Sequence, residues 1–139
     1  MEVFDRIKAR AKGTLTLTKS PTKPFTFTEI EFDDTQGNIW FSGRNVISTD
    51  QGEILTLILP EKDGASSGIF GKHPNAAGYF TQRNGKVKGD WGSLSGTYQS
   101  NYNKKTKKIS GTFTVNASSV QTNAVFEFAG SFDLQAITP

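Results

Sequence analysis

The chain has no cysteine. That excludes a disulfide framework, a thiolate metal site and a thiol nucleophile. It leaves the compartment open, because cysteine-free chains occur in oxidising and reducing spaces alike. Histidine is almost as scarce, with His73 the only one. A Ser–His–Asp arrangement would have to be built around it. It stands before Pro74 in a loop-like stretch with no spacing signature nearby, and is expected to be an ordinary exposed residue. A zinc site needs several nitrogen or sulfur ligands, which one histidine does not supply. Neither a metal nor a cofactor is expected.

Long apolar runs are missing too. The longest, Ile54 to Leu59, is strand-sized and interrupted by Thr56, far short of the roughly 18 residues of a membrane-spanning helix. The N-terminus lacks the apolar region of a signal peptide. The expectation is a cytoplasmic chain, or an extracellular one numbered after processing. Helix-favouring tracts of Ala, Leu, Glu and Lys do not occur, whereas Thr, Ser, Gly and Asn are abundant. That composition suits strands and turns. With 139 residues, the chain is read as a single domain over 1–139, large enough to bury a core without crosslinks. A net charge of +3 is compatible with an anionic partner without requiring one.

What the sequence does hold is alternation. Leu94, Gly96 and Tyr98 share one parity; so do Ile109, Gly111, Phe113, Val115 and Ala117, and again Phe126, Phe128, Gly130, Phe132 and Leu134. The opposite positions are mostly Ser, Thr, Asn, Gln, Glu and Asp. A period of two with one apolar face predicts three consecutive half-buried strands. A glycine precedes an aromatic residue by two places in Gly96-Thr97-Tyr98, Gly111-Thr112-Phe113, Gly130-Ser131-Phe132, Gly68-Ile69-Phe70 and Gly78-Tyr79-Phe80. Each unit sets a gap and a ring on one face. Glycine kinks help a sheet curl toward closure, so the inner rings are expected to lie over neighbouring glycines.

Elsewhere the alternation of Met1 to Thr18 predicts a long strand bent at Gly13, with a helix over Glu2 to Ala11 as the alternative. Phe25 to Phe32 reads as a strand whose parity slips at a bulge near Thr28. Ile39 to Ser42 and Val46 to Ser48 read as strands separated at Gly43-Arg44-Asn45. Ile54 to Leu59, apolar on both faces, is placed centrally or covered on both sides. Ala65 to Ala77 is the longest irregular stretch, and Asn84-Gly85 marks a hairpin. Together these predict an all-β chain: an antiparallel barrel of about 8–10 strands, or alternatively a two-sheet sandwich.

Carboxylates for glycoside hydrolysis could come from Glu29, Glu31, Asp33, Asp34, Asp90 and Glu127, if two of them faced each other. Glu31 and Glu127 stand opposite apolar neighbours, as outward residues do. The Asp33 to Asn38 stretch is a turn and does not match a twelve-residue calcium loop. Two basic features stand out: the row Arg6, Lys8, Arg10 and Lys12, and the tip Lys104 to Lys108 beside Tyr98 and Tyr102. Such charge can attract phosphates, a membrane surface or another anionic polymer, and lysines also keep strand edges from pairing. A net charge of only +3 weighs against nucleic acid. The functional expectation is a non-catalytic binding protein. A small amphipathic or carbohydrate ligand would enter at one open end near Ala65–Ala77 and meet Trp91, Tyr98, Asp90, Tyr102 and Trp40. The alternatives are docking to an anionic polymer or membrane through Arg6, Lys8, Arg10 and Lys12, and a carboxylate-dependent hydrolase.

Overall fold

The computed structural model describes residues 9–19, 25–27, 29–35, 37–48, 51–70, 76–84 and 87–137. These residues form strands and turns only. The strands are β1 (Ala9–Lys19), β2 (Phe25–Phe27), β3 (Glu29–Thr35), β4 (Asn38–Ser48), β5 (Gln51–Pro60), β6 (Gly64–Phe70), β7 (Ala77–Asn84), β8 (Val87–Asn103), β9 (Lys108–Ser119) and β10 (Val125–Ile137). Pairing runs β10-β9-β8-β7-β5-β4-β3-β1, and β1 then pairs antiparallel with β10. Eight strands therefore close on themselves, which removes the free edges of the sheet they form. The two remaining strands extend the wall: β2 pairs with β1 beyond β3, and β6 pairs with β8 beyond β7.

The alternation predicted for residues 94–134 gives β8, β9 and β10, adjacent and antiparallel. Their glycine–aromatic units interlock. Gly111 pairs with Phe132 and Phe113 with Gly130, so each ring lies on the other strand's glycine. A Cβ at Gly111 would sit 2.8 Å from Phe132 Cζ, and one at Gly130 2.9 Å from Phe113 Cζ. Strands β6 and β8 repeat the exchange, pairing Gly68 with Tyr98 and Phe70 with Gly96. The rings also reach across the interior. Phe41 meets Phe132 at 4.9 Å between centroids, and Phe80 meets Phe128 at 5.1 Å. Between the described core side chains lies a void of about 10 Å³, lined by apolar groups including Leu55, Leu57, Phe80 and Phe113. That is at or below the room one water needs, and it offers the water no polar partner. Among the described residues the barrel interior is packed with side chains.

Several expectations change in detail. Leu94 does not share the inner face of Tyr98: a bulge between Ser93 and Ser95 turns it outward, 52% exposed. The bulge bends β8 without interrupting it, so two expected strands are one of 17 residues. Gly43 likewise lies within a continuous β4. Its missing side chain makes room for Phe27, whose Cγ would be 2.6 Å from a Cβ there. The stretch read as irregular from Ala65 supplies β6, a strand of small residues held by its pairing with β8. In β5 the even positions are half-buried and lie uncovered on the outer wall. The strand is central, paired with β4 and β7 as one of the two alternatives had it, and its second apolar face is this half-buried one on the outer wall. The parity slip between Phe27 and Ile30 is present, both residues being buried; Thr28 itself lies outside the described residues, as do Met1 to Lys8, His73 and Gly85.

Candidate ligand site

With the interior filled, depressions on the outer wall are where a ligand finds room. One with an apolar floor lies across β4, β5 and β7. Cross-strand register builds it. Arg44 pairs with Ile54 and Ile54 with Thr81; two residues along, Gly52 pairs with Arg83. Ile54 thus forms an apolar floor, and Gly52 contributes no side chain beside it. Arg44 and Arg83 stand on the strands to either side, and Ser48 and Gln51 close the end. The cleft has a volume of about 330 Å³, at the lower end of the range for small-molecule sites. Adjacent strands are about 4.8 Å apart, so two guanidinium stems flank one isoleucine across three strands. Arg44 Nη1 donates to Glu31 Oε1 at 3.3 Å, an exposed pair. Such a pair is worth about 1 kcal/mol or less and yields to a better-matched anion.

The same wall continues past Ser42 to Trp40. Trp40 pairs with Asp33 on β3 and Ile58 on β5 and is 45% exposed. With Glu31, Phe32, Asp33 and Ser42 it lines a shallow depression of about 60 Å³. Tyr79, also exposed, lies on β7 opposite Thr56.

The residues expected to contact a ligand are therefore dispersed. Trp40 is on the outer wall. Tyr98 and Tyr102 are core residues, 3% and 1% exposed. Trp91 faces inward near the β7–β8 end, folded over Gly89, where a Cβ would sit 2.5 Å from indole Cζ3. Its ring stands edge-on to Phe126 at 6.4 Å and Phe128 at 6.2 Å, and its Nε1 is buried without a hydrogen-bond partner. Asp90 anchors a turn: Thr81 Oγ1 donates to its Oδ1 at 3.1 Å, Gln121 Nε2 donates to its Oδ2 at 3.2 Å, and its own N–H donates to Gln121 Oε1 at 3.0 Å.

Of the carboxylates, Glu31 and Asp33 are brought to one depression. Glu127 pairs with Lys19 at 3.0 Å, Glu29 is exposed, and the side chain of Asp34 is outside the described residues. Of the basic row, Arg6 and Lys8 lie outside the described residues, and Arg10 is described only through its backbone, in register with Glu31. Lys12 is exposed on β1. Among the described residues no group of acids and histidine is placed to hold a metal, and no helix is long and apolar enough to cross a membrane. Arg44 and Arg83 were not singled out from sequence. They become neighbours of one cleft only because β5 pairs with β7, skipping β6.

No protein-family model matches the chain, and neither a curated protein nor a solved structure matches it.

Proposed function

We propose that this barrel is a non-catalytic binding protein whose small amphipathic ligand sits in the outer-wall cleft between Arg44 and Arg83. One observation carries the reading: a cleft of about 330 Å³ pairs an apolar floor with two guanidinium groups, while the void between the described core side chains is about 10 Å³. The ligand's apolar part rests on Ile54. Its anionic group accepts hydrogen bonds from one or both arginines, whose planar donors suit carboxylate, sulfonate or phosphate oxygens. A longer ligand extends over Ser42 onto the Trp40 ring. Hydrolysis is disfavoured by the size of the depression that holds Glu31 and Asp33: at about 60 Å³ it is well below the roughly 300 Å³ at which small-molecule sites begin.

Anilinonaphthalene sulfonate, an anionic amphiphile, is a direct probe. It should fluoresce with the native protein and lose most of that signal with Arg44→Ala/Arg83→Ala or Ile54→Asp, each checked for an unchanged far-ultraviolet circular dichroism spectrum. Native-state fluorescence that survives in both variants would place the probe elsewhere and overturn the assignment.

A further inference from the structure

We propose that the opposite wall, formed by β1, β10, β9, β8 and β6, is a docking surface for an acidic polysaccharide. The register joins two basic features that are far apart in sequence. Lys12 on β1 pairs with Gln135 on β10, Gln135 with Lys108 on β9, and Lys108 with Asn103 on β8. The row leads directly into the Lys104–Lys108 turn. That turn is fixed in shape: Asn103 Oδ1 accepts from the N–H groups of Lys105 at 3.0 Å and Thr106 at 3.2 Å, and Lys107 takes a left-handed conformation with φ 56°. It is also tied to both neighbours. Lys104 N–H donates to Asp63 Oδ1 at 3.0 Å and its Nζ pairs with Glu61 at 3.3 Å, which brings the Lys62 turn alongside. On the other side Ala136 N–H donates to the Lys107 carbonyl at 3.0 Å. Lys12, Lys62, Lys105 and Lys108 are all exposed. Glu61 and Asp63 on this rim are both engaged with Lys104, and Asp133 lies in the next row. A rim whose backbone is held this firmly leaves only the lysine side chains themselves to be ordered on binding.

The wall below the rim decides which polyanion. Its outward rows are Ala65–Asn101–Ser110–Asp133–Thr14 and Ser67–Gln99–Thr112–Ser131–Thr16. Hydroxyls and amides dominate, and beside them a trough of about 440 Å³ is lined by Lys62, Ala65, Ser66, Ser67, Gln99 and Ser100. These groups both donate and accept, which matches the hydroxyls of a sugar chain, and the lysines match its sulfates or carboxylates. Stacking of nucleic-acid bases needs exposed rings, and the aromatic residues nearest the tip, Tyr98 and Tyr102, are buried. An anionic membrane would use the charge and leave the hydroxyl rows idle.

Heparin, as the sulfated-polysaccharide probe, should bind the whole protein in low salt and be released as salt rises. Lys12→Ala/Lys105→Ala/Lys108→Ala should weaken it by about tenfold or more, from three exposed charge contacts. Gln99→Ala/Thr112→Ala, which keeps the charge, should weaken heparin by about threefold from lost hydrogen bonds. Lys19→Ala, which removes a charge at the other end of the barrel, should leave binding unchanged. The proposal is overturned if the triple lysine variant still binds heparin, if Lys19→Ala weakens it as much as Lys108→Ala alone, if Gln99→Ala/Thr112→Ala has no effect, or if oligo-deoxythymidine or phosphatidylserine vesicles bind as tightly as heparin.

Discussion

Alanine at Gly130 should destabilise the barrel, and alanine at Gly92 should not. Gly130 pairs with Phe113 on β9 and with Leu17 on β1. A methyl there would run into the Thr16 carbonyl oxygen and, on its other side, sit 2.9 Å from Phe113 Cζ. Neither neighbour can easily give way. The carbonyl lies on β1, whose pairing with β10 closes the barrel, and the Phe113 ring is stacked on Phe132 at 6.4 Å with 23° between planes. Overpacking costs about 1–3 kcal/mol, and a backbone obstacle puts Gly130 near the top of that range. Alanine recovers about 0.4–1 kcal/mol by restricting the unfolded chain, leaving a net loss of roughly 2 kcal/mol. At Gly92 the nearest atoms, Tyr79 Cδ1 and Cε1, would be 3.9 Å from the new Cβ. That is ordinary contact, so only the unfolded-chain gain applies. In urea unfolding followed by circular dichroism, with m of about 2 kcal/mol/M, Gly130→Ala lowers the midpoint by about 1 M and Gly92→Ala raises it by a few tenths. Coincident midpoints for the two variants would refute the reciprocal seating of rings on glycines.

Other outcomes follow from the same geometry. Trp91→Phe discards a buried indole N–H that has no partner; relief of that desolvation offsets the lost ring area, so stability stays within about 1 kcal/mol of the parent, and a loss above about 2 kcal/mol in urea titration would mean the N–H is satisfied. Leu94→Ser, at an outward bulge, should cost under about 0.5 kcal/mol; a loss of about 2 kcal/mol or more by the same titration would put Leu94 in the core. Asp90→Ala strips Thr81 and Gln121 of their shared acceptor and should cost about 1–2 kcal/mol, with faster amide exchange at residues 119–122; unchanged exchange would show that Asp90 does not anchor that turn.

The fold was legible wherever one face of a strand is buried. Ile109 to Ala117 and Phe128 to Leu134 carry their inner face in plain alternation. Legibility failed where a residue's place depends on a partner strand. Gly43 looks like a break until Phe27 is set upon it. The Ser66-Ser67-Gly68 run has no apolar beat, yet it is a strand because β8 offers Tyr98 to cover Gly68. Leu94 keeps the beat but loses the face, since a bulge leaves no compositional trace. The candidate site was less legible for the same reason. Tyr98 and Tyr102 resemble binding aromatics by composition, but alternation gives them the inner face. Arg44 and Arg83 are 39 residues apart (83 − 44), and nothing local announces that both border Ile54.

The account rests on a barrel packed solid inside and receptive outside. Backbone amide shifts recorded by NMR during titration with anilinonaphthalene sulfonate test it most directly. Gly52, Ile54, Thr81 and Arg83 should move, with Leu55, Leu57, Phe113 and Val115 still. Shifts concentrated on that second group, with the outer wall silent, would place the ligand inside the barrel and contradict the account.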